Sequence, residues 1–163
     1  MSQFEKILRR LIAGQVEFVV IGGYAAVTHG AIDVTRDLDV CAPFTEENLL
    51  KLQAALAEIH PHHRLTMHIA PLELIAGQCE RWRNLYLKTD EGIFDCLGEV
   101  LGIGDYRQVL ARSEITATSF GNFRVLDIPS LIEAKIAIGR PHDLRTAVQL
   151  RCVLDAKTQP PLQ

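Results

Sequence analysis

The sequence predicts an α/β or α+β domain in which a mixed β-sheet is flanked by helices and followed by further C-terminal helices. Three observations predict this. Helical apolar spacing and short β-branched runs alternate through the first sixty residues. Glycine-punctuated apolar runs follow in the middle of the chain. Two stretches at helical spacing close it. With 163 residues, 48% of them hydrophobic and 23% charged, the chain suits one domain and excludes disordered and fibrous classes. A net charge of −3 argues against a generic nucleic-acid coat, though not against a local basic groove.

The elements follow in order. Ser2 is placed as an N-cap, and Phe4, Ile7, Leu8 and Leu11 recur at helical spacing up to Gly14. Residues 16–21 form a β-branched run that reads as a buried strand, ended by Gly22-Gly23, with a short helix over 24–28 behind the turn. Residues 37–41 alternate strictly and stop before Pro43, which predicts another strand. Thr45 caps a helix to about His60, with Glu46 and Glu47 in its first turn. Residues 60–80 carry no assignable period. Residues 83–88 and 92–97 resemble two strands joined by a turn at 89–92, and 106–110 a helix. Gly121-Asn122 signals a hairpin between strands at 115–120 and 123–128. Helices over 129–139 and 142–154 are separated by Gly139-Arg140-Pro141, leaving a domain over 1–155 and a frayed tail over 156–163. Segment 1–11 lacks the h-region of a secretory signal, and no stretch reaches the roughly 20 apolar residues of a membrane span, so a soluble protein is expected. Four cysteines without ligand spacing (Cys41, Cys79, Cys96, Cys152) read as buried reduced thiols in a cytoplasmic protein.

The chemistry concentrates between Phe18 and Pro43. Strand alternation puts Asp37 and Asp39 on one face with Cα atoms about 7 Å apart, close enough for their oxygens to reach a common point. Two anions there repel, and a divalent cation relieves the repulsion while gaining oxygen ligands. An Asp-x-Asp pair alone is more often a solvated strand face. Two further features shift that balance. Gly22-Gly23 lies between a strand and a helix, where backbone N–H groups can face a phosphate, although a tight turn alone explains it. Asp95 stands inside an apolar strand, where an acid is costly unless paired or metal-bound; an edge-strand surface residue is the alternative.

Gly22-Gly23, Asp37-Leu38-Asp39-Val40 and the distal Asp95 together resemble the nucleotidyltransferase superfamily of the DNA polymerase β type. Arg36 and the run from Leu131-Ile132-Glu133-Ala134-Lys135 through Gly139-Arg140-Pro141-His142-Asp143-Leu144 look like its small bacterial AbiEii-like branch, which includes toxins of toxin–antitoxin systems. The resemblance spans residues 16–150. It implies transfer of a nucleoside monophosphate from a nucleoside triphosphate to a hydroxyl, with Mg²⁺ or Mn²⁺ as cofactor and pyrophosphate leaving. It further implies that Asp37, Asp39 and Asp95 hold the metal and carry catalysis. Gly22, Gly23, Thr35, Arg36, Lys135, Arg140 and Asp143 are then the nucleotide-binding candidates. Many members carry Ser where this chain has Gly23, and that hydroxyl helps bind phosphate.

Alternatives stand beside several of these. Lys135 is either a snorkelling surface lysine or a phosphate ligand, and Arg140 with Asp143 either an ion pair tying two helices or a substrate contact. The acceptor is RNA, tRNA above all, a protein side chain or a small hydroxylated molecule such as an aminoglycoside; for RNA, Arg140, Arg145, Arg151 and Lys157 are backbone-contact candidates. An antitoxin protein is a further implied partner. His60, His62, His63, His68 and Cys79 fit no common zinc spacing and read as a polar loop, and His29 as a helix end. Trp82 between Arg81 and Arg83 reads as a core Trp before it reads as a base-stacking platform. The rival function is a non-catalytic nucleotide- or partner-binding module that keeps the fold.

Overall fold

A computed structural model describes residues 2–32 and 34–159. Helix α1 (Gln3–Ala13) opens on a capping box in which Ser2 accepts the Glu5 N–H and the Glu5 side chain accepts the Ser2 N–H; Ile7, Leu8 and Leu11 are fully buried. Strand β1 (Val19–Ile21) is shorter than the expected 16–21. The reason is local: the Glu17 N–H and carbonyl are both bonded by the Asn48 side chain, so the sheet ladder begins only at Val19. Helix α2 (Gly22–Thr28) starts at the first glycine, and β2 (Asp37–Cys41) takes the bounds its alternation predicts. Thr45 accepts the Asn48 N–H to cap α3 (Glu46–Leu56), which tightens into a 3₁₀ turn over Ala57–Ile59.

The unassigned stretch 60–80 holds two two-residue strands, β3 (His62–His63) and β4 (Ala70–Pro71), too short to carry any period. Strands β5 (Asn84–Thr89) and β6 (Gly92–Leu97) form the expected hairpin; β7 (Glu99–Val100) and β8 (Gly104–Asp105) pair with each other. After α4 (Tyr106–Ala111), β9 (Ser113–Thr118) and β10 (Gly121–Leu126) make a hairpin that turns two residues earlier than Gly121-Asn122 predicts. Thr118 pairs with Gly121, leaving Ser119-Phe120 as the loop. The Thr118 hydroxyl donates to the Gly121 carbonyl and accepts the Phe120 N–H, and Gly121 supplies a φ of +132° as the first residue of the returning strand. Helix α5 (Ile128–Ile138) is capped by Asp127 and stops at left-handed Gly139. Helix α6 (Pro141–Thr158) runs three residues past the expected domain end, so the predicted tail over 156–163 is helical to Thr158; residues 160–163 lie outside the described residues. No helix among the described residues is long and apolar enough to cross a membrane.

Eight strands form one sheet in the order β4-β3-β5-β6-β2-β1-β10-β9. It is mixed: β1 with β10 and β2 with β6 run parallel, the other neighbours antiparallel. Register and alternation divide the central strands cleanly. Leu38, Val40, Phe94, Cys96, Leu85 and Leu87 share one face and are fully buried. Ile21, Asp37, Asp39, Asp95 and Tyr86 share the other. Helix α1 packs on α3, while α2 packs on β2 and α5, and α5 on α6. Three cysteines are buried as expected, but Cys152 is exposed on the outer side of α6.

Candidate active site

Parallel pairing of β2 with β6 sets Asp39 directly beside Asp95, with Asp37 two residues along the same face. One carboxylate oxygen from each of the three lies within 4.8 Å of the others. Asp95 is 5% exposed; Asp37 and Asp39 are half-buried. Crowding acids in a partly buried site disfavours their ionised forms. Burial, then the neighbouring Asp37 and Asp95 charges, push the Asp39 carboxyl up to about 7, against smaller opposing effects of Lys135 and Arg64. Burial also raises Asp95, with the hydrogen bond from Arg64 as the leading restraint. Three hard oxygen donors with mutually repelling charges fit a divalent cation of the Mg²⁺ or Mn²⁺ type.

The glycines are fitted around these acids. Gly22 has φ +67°, and a Cβ there would stand 2.2 Å from Asp39 Oδ2, so a side chain would displace the carboxylate. A Cβ on Gly23 would stand 2.8 Å from the Thr35 hydroxyl oxygen. The Thr35 hydroxyl therefore occupies the space a serine at 23 would enter. It donates to the Asp37 carbonyl at 2.9 Å, with the Asp37 carboxylate at 3.3 Å, bracing the start of β2. Arg36 is exposed at the rim.

Opposite the acids, Lys135 and Arg140 converge on Asp143. Lys135 Nζ donates to one Asp143 oxygen at 2.7 Å and Arg140 Nε to the other at 2.6 Å. Asp143 is fully buried and Lys135 6% exposed, whereas the Arg140 side chain is 71% exposed. Burial alone would raise the Asp143 carboxyl, but the bonds from Arg140 and Lys135 outweigh it and hold it below the usual carboxylate range. The ion-pair alternative for Arg140 and Asp143 is thus realised, with Lys135 as its buried third member. Asp143, with both oxygens engaged, reaches a ligand only through its two cations.

A cleft of about 720 Å³ gathers Gly23, Thr35, Arg36, Asp37, Asp39, Asp95, Lys135, Arg140 and Asp143. Gly22 lines an adjoining cavity of about 610 Å³, which shares Asp39, Tyr86, Lys135 and Arg140 with the first and is walled mainly by apolar residues such as Leu97, Val100, Ile103 and Leu131. Among the cleft residues that escaped the sequence reading are Tyr86 and Arg64. Tyr86 lies beside Asp95 on β5, where alternation with Leu85 and Leu87 could have pointed to it. Arg64, which pairs with both Asp95 oxygens through its Nε and Nη2, follows β3 in the stretch without periodicity and carries no local signal.

The other candidates sit elsewhere or are otherwise engaged. His60 Nδ1 meets Asp90 at 2.6 Å, the His63 ring stacks on Trp82 with centroids 5.1 Å apart, and buried Cys79 points to the Ile75 carbonyl. Trp82 packs against the core beneath Arg81, while Arg83 bonds the Glu80 and Trp82 carbonyls. His29 caps the end of α2 and bonds the Leu126 carbonyl at 2.8 Å. Arg145, Arg151 and Lys157 are exposed along α6.

No protein-family model matches the sequence, and no curated protein matches it. Solved structures do. The Thermotoga maritima protein TM1012, described as a nucleotidyltransferase, superposes with a TM-score of 0.57 at 18% identity, over 94% of this chain and 91% of that one. The antibiotic-resistance factor ANT(2″)-Ia, solved with adenylyl-2″-tobramycin, gives 0.56 at 12% identity, over 94% and 93%. The likeness establishes the fold: this chain has the nucleotidyltransferase fold over nearly its whole length.

Proposed function

We propose that this chain transfers a nucleoside monophosphate from a nucleoside triphosphate to an acceptor hydroxyl, with Mg²⁺ or Mn²⁺ as cofactor. The observation that carries this reading is the meeting of Asp37, Asp39 and Asp95, from two strands, on the floor of a cleft rimmed by cations. A bound divalent cation would neutralise the triphosphate and the charge that develops on the reacting oxygens. Asp37 and Asp39 would hold it, and Asp95 would complete a second position. In the reaction the acceptor oxygen forms a bond to the α-phosphorus as the bond to the bridging oxygen of the β-phosphate breaks. Pyrophosphate leaves, and the hydroxyl proton passes to Asp95.

The remaining residues orient the substrates. Exposed Arg140 presents its free guanidinium edge to a phosphate while Asp143 fixes its direction. Lys135, held by Asp143, contributes charge from beneath. Gly22 and Gly23 leave room for the Asp39 carboxylate and the Thr35 hydroxyl at the start of α2, where backbone N–H groups can face a phosphate. The adjoining apolar cavity suits the uncharged body of a substrate. In this reading the acceptor is a hydroxyl of RNA, a protein or a small molecule; ANT(2″)-Ia is a fold relative solved with an adenylylated aminoglycoside. The AbiEii-like branch, with a toxin role and an antitoxin partner, rests on the signatures around Arg36 and over residues 131–144, and a cytoplasmic setting on cysteines without disulfide or ligand spacing.

Incubation with each α-labelled triphosphate, Mg²⁺ or Mn²⁺, and in turn total RNA, total protein and aminoglycosides tests the proposal. Label on one acceptor class supports it. Calorimetric binding of nucleotide with no label on any acceptor would instead identify a non-catalytic module.

A further inference from the structure

Arg64 is held on Asp95, the carboxylate that would complete a second cation position. Its Nε meets Asp95 Oδ1 at 3.2 Å and its Nη2 pairs closely with Oδ2, so one guanidinium fork spans the whole carboxylate. A guanidinium and a divalent ion on the same two oxygens repel each other at short range. Among the described residues no guanidinium forks Asp37 or Asp39, and the Thr35 hydroxyl reaches the Asp37 carboxylate at 3.3 Å. The cluster thus has an open half at Asp37 and Asp39 and a half at Asp95 closed by the protein's own cation.

The closing side chain stands at the cleft's edge. The Arg64 backbone is anchored, with its N–H donating to the Tyr86 carbonyl at 3.0 Å. Its side chain is 27% exposed and lies over the Tyr86 ring at 5.6 Å, at the edge of the cleft and not sealed within it. Arg64 lines the cleft beside Asp95. Lys135 and Arg140 opposite are paired with Asp143, whereas Arg64 is the cleft cation paired with a member of the acidic cluster, a partner it can exchange for a phosphate.

We propose that Arg64 is a positioning residue that occupies Asp95 until a nucleoside triphosphate arrives, then pairs with its phosphates and releases Asp95 to a second divalent cation. Full cation occupancy is thereby coupled to nucleotide binding. The inference rests on the nucleotidyl-transfer reading and adds an order of assembly: first cation, nucleotide, second cation. A purely structural ion pair makes the opposite prediction, since removing Arg64 would then cost stability without opening a cation position.

Mn²⁺ binding to the full chain, counted by electron paramagnetic resonance with and without non-hydrolysable triphosphate analogues, tests it on wild type, Arg64→Gln and Arg64→Lys. Wild type is expected to bind one Mn²⁺ alone and two with nucleotide. Arg64→Gln is expected to bind the second ion without nucleotide at least about 10-fold more tightly, and to lose about 10-fold in nucleotide affinity at saturating Mn²⁺. Arg64→Lys should fall between them on both readouts, and it carries the test if the Gln variant does not fold. Two ions on the wild type without nucleotide would overturn the coupling. So would a pair of variants that change melting temperature but neither Mn²⁺ nor nucleotide binding; in both cases nucleotidyl transfer stands. Wild type that binds neither Mn²⁺ nor nucleotide would overturn both readings.

Discussion

Two charged clusters face each other across the cleft, and their bookkeeping is inverted. At Asp143 one carboxylate receives two cations, every oxygen is bonded, and its pKa is held down. At Asp37, Asp39 and Asp95 three carboxylates share one guanidinium, and Asp39 is pushed up to about 7. The first is a finished structural knot whose removal damages the fold. The second is a deficit of positive charge that the fold tolerates, as expected where a ligand supplies the missing charge.

Substitutions at the two clusters should therefore separate activity from stability. The largest effect is expected from Asp39→Asn, which removes a cation ligand: nucleotidyl transfer should fall by about 10³-fold or more. The melting temperature of the cation-free protein at pH 8 should hold or rise, because a repelling charge has gone. A large loss of stability would mean that the acidic cluster is also structural. Asp143→Ala should act on stability first, with transfer weakened through the release of Lys135 and Arg140. It strands buried Lys135 without its anion, at a cost of about 3 kcal/mol or more and a fall in melting temperature of roughly 6–12 °C. Scanning calorimetry checks both variants.

The glycines sharpen the same contrast. Gly22→Ala should weaken Mn²⁺ binding by about 10-fold, because its Cβ would push into Asp39 Oδ2 at a backbone angle that disfavours any side chain. Gly23→Ala should cost about 1–3 kcal/mol through overpacking against Thr35, with a smaller change in cation affinity. Isothermal titration with Mn²⁺, alongside thermal melts, distinguishes the two sites.

The smallest expected effect is on pH dependence, since Asp39 and its neighbours are partly screened by solvent. The folded-state pKa of Asp39 is raised, so between about 4 and about 7 the native state binds more protons than the unfolded chain. Stability of the cation-free protein should decline as pH rises through that window and level off above it. Asp95, raised in the same sense, adds to the decline. Melting temperatures in chelator across pH 4–8 should show this slope, and Asp39→Asn should flatten it.

How much of this was legible follows the range of the interactions. The bounds of β2 could be read from its alternation, because burial writes a local period, whereas the grouping of Asp95 with Asp37 and Asp39 came from the family resemblance, since strand pairing across about 56 residues leaves no local period. The capping residues Ser2, Thr45 and Asp127 act within three positions; the first two were legible for the same reason. The hairpin at residues 118–121 was misplaced because a glycine that starts a strand looks like one that forms a turn. Arg64 left no trace at all. Its role comes from β3 pairing with β5 across about 24 residues, and a two-residue strand has no pattern to read.

The most direct test of the central claim is a crystal structure with Mn²⁺ and a non-hydrolysable triphosphate, read by anomalous scattering. Anomalous density bridging the carboxylates of Asp37, Asp39 and Asp95, with the triphosphate beside Arg140, is the predicted result. A triphosphate bound elsewhere, with no anomalous density among the three acids, would contradict it.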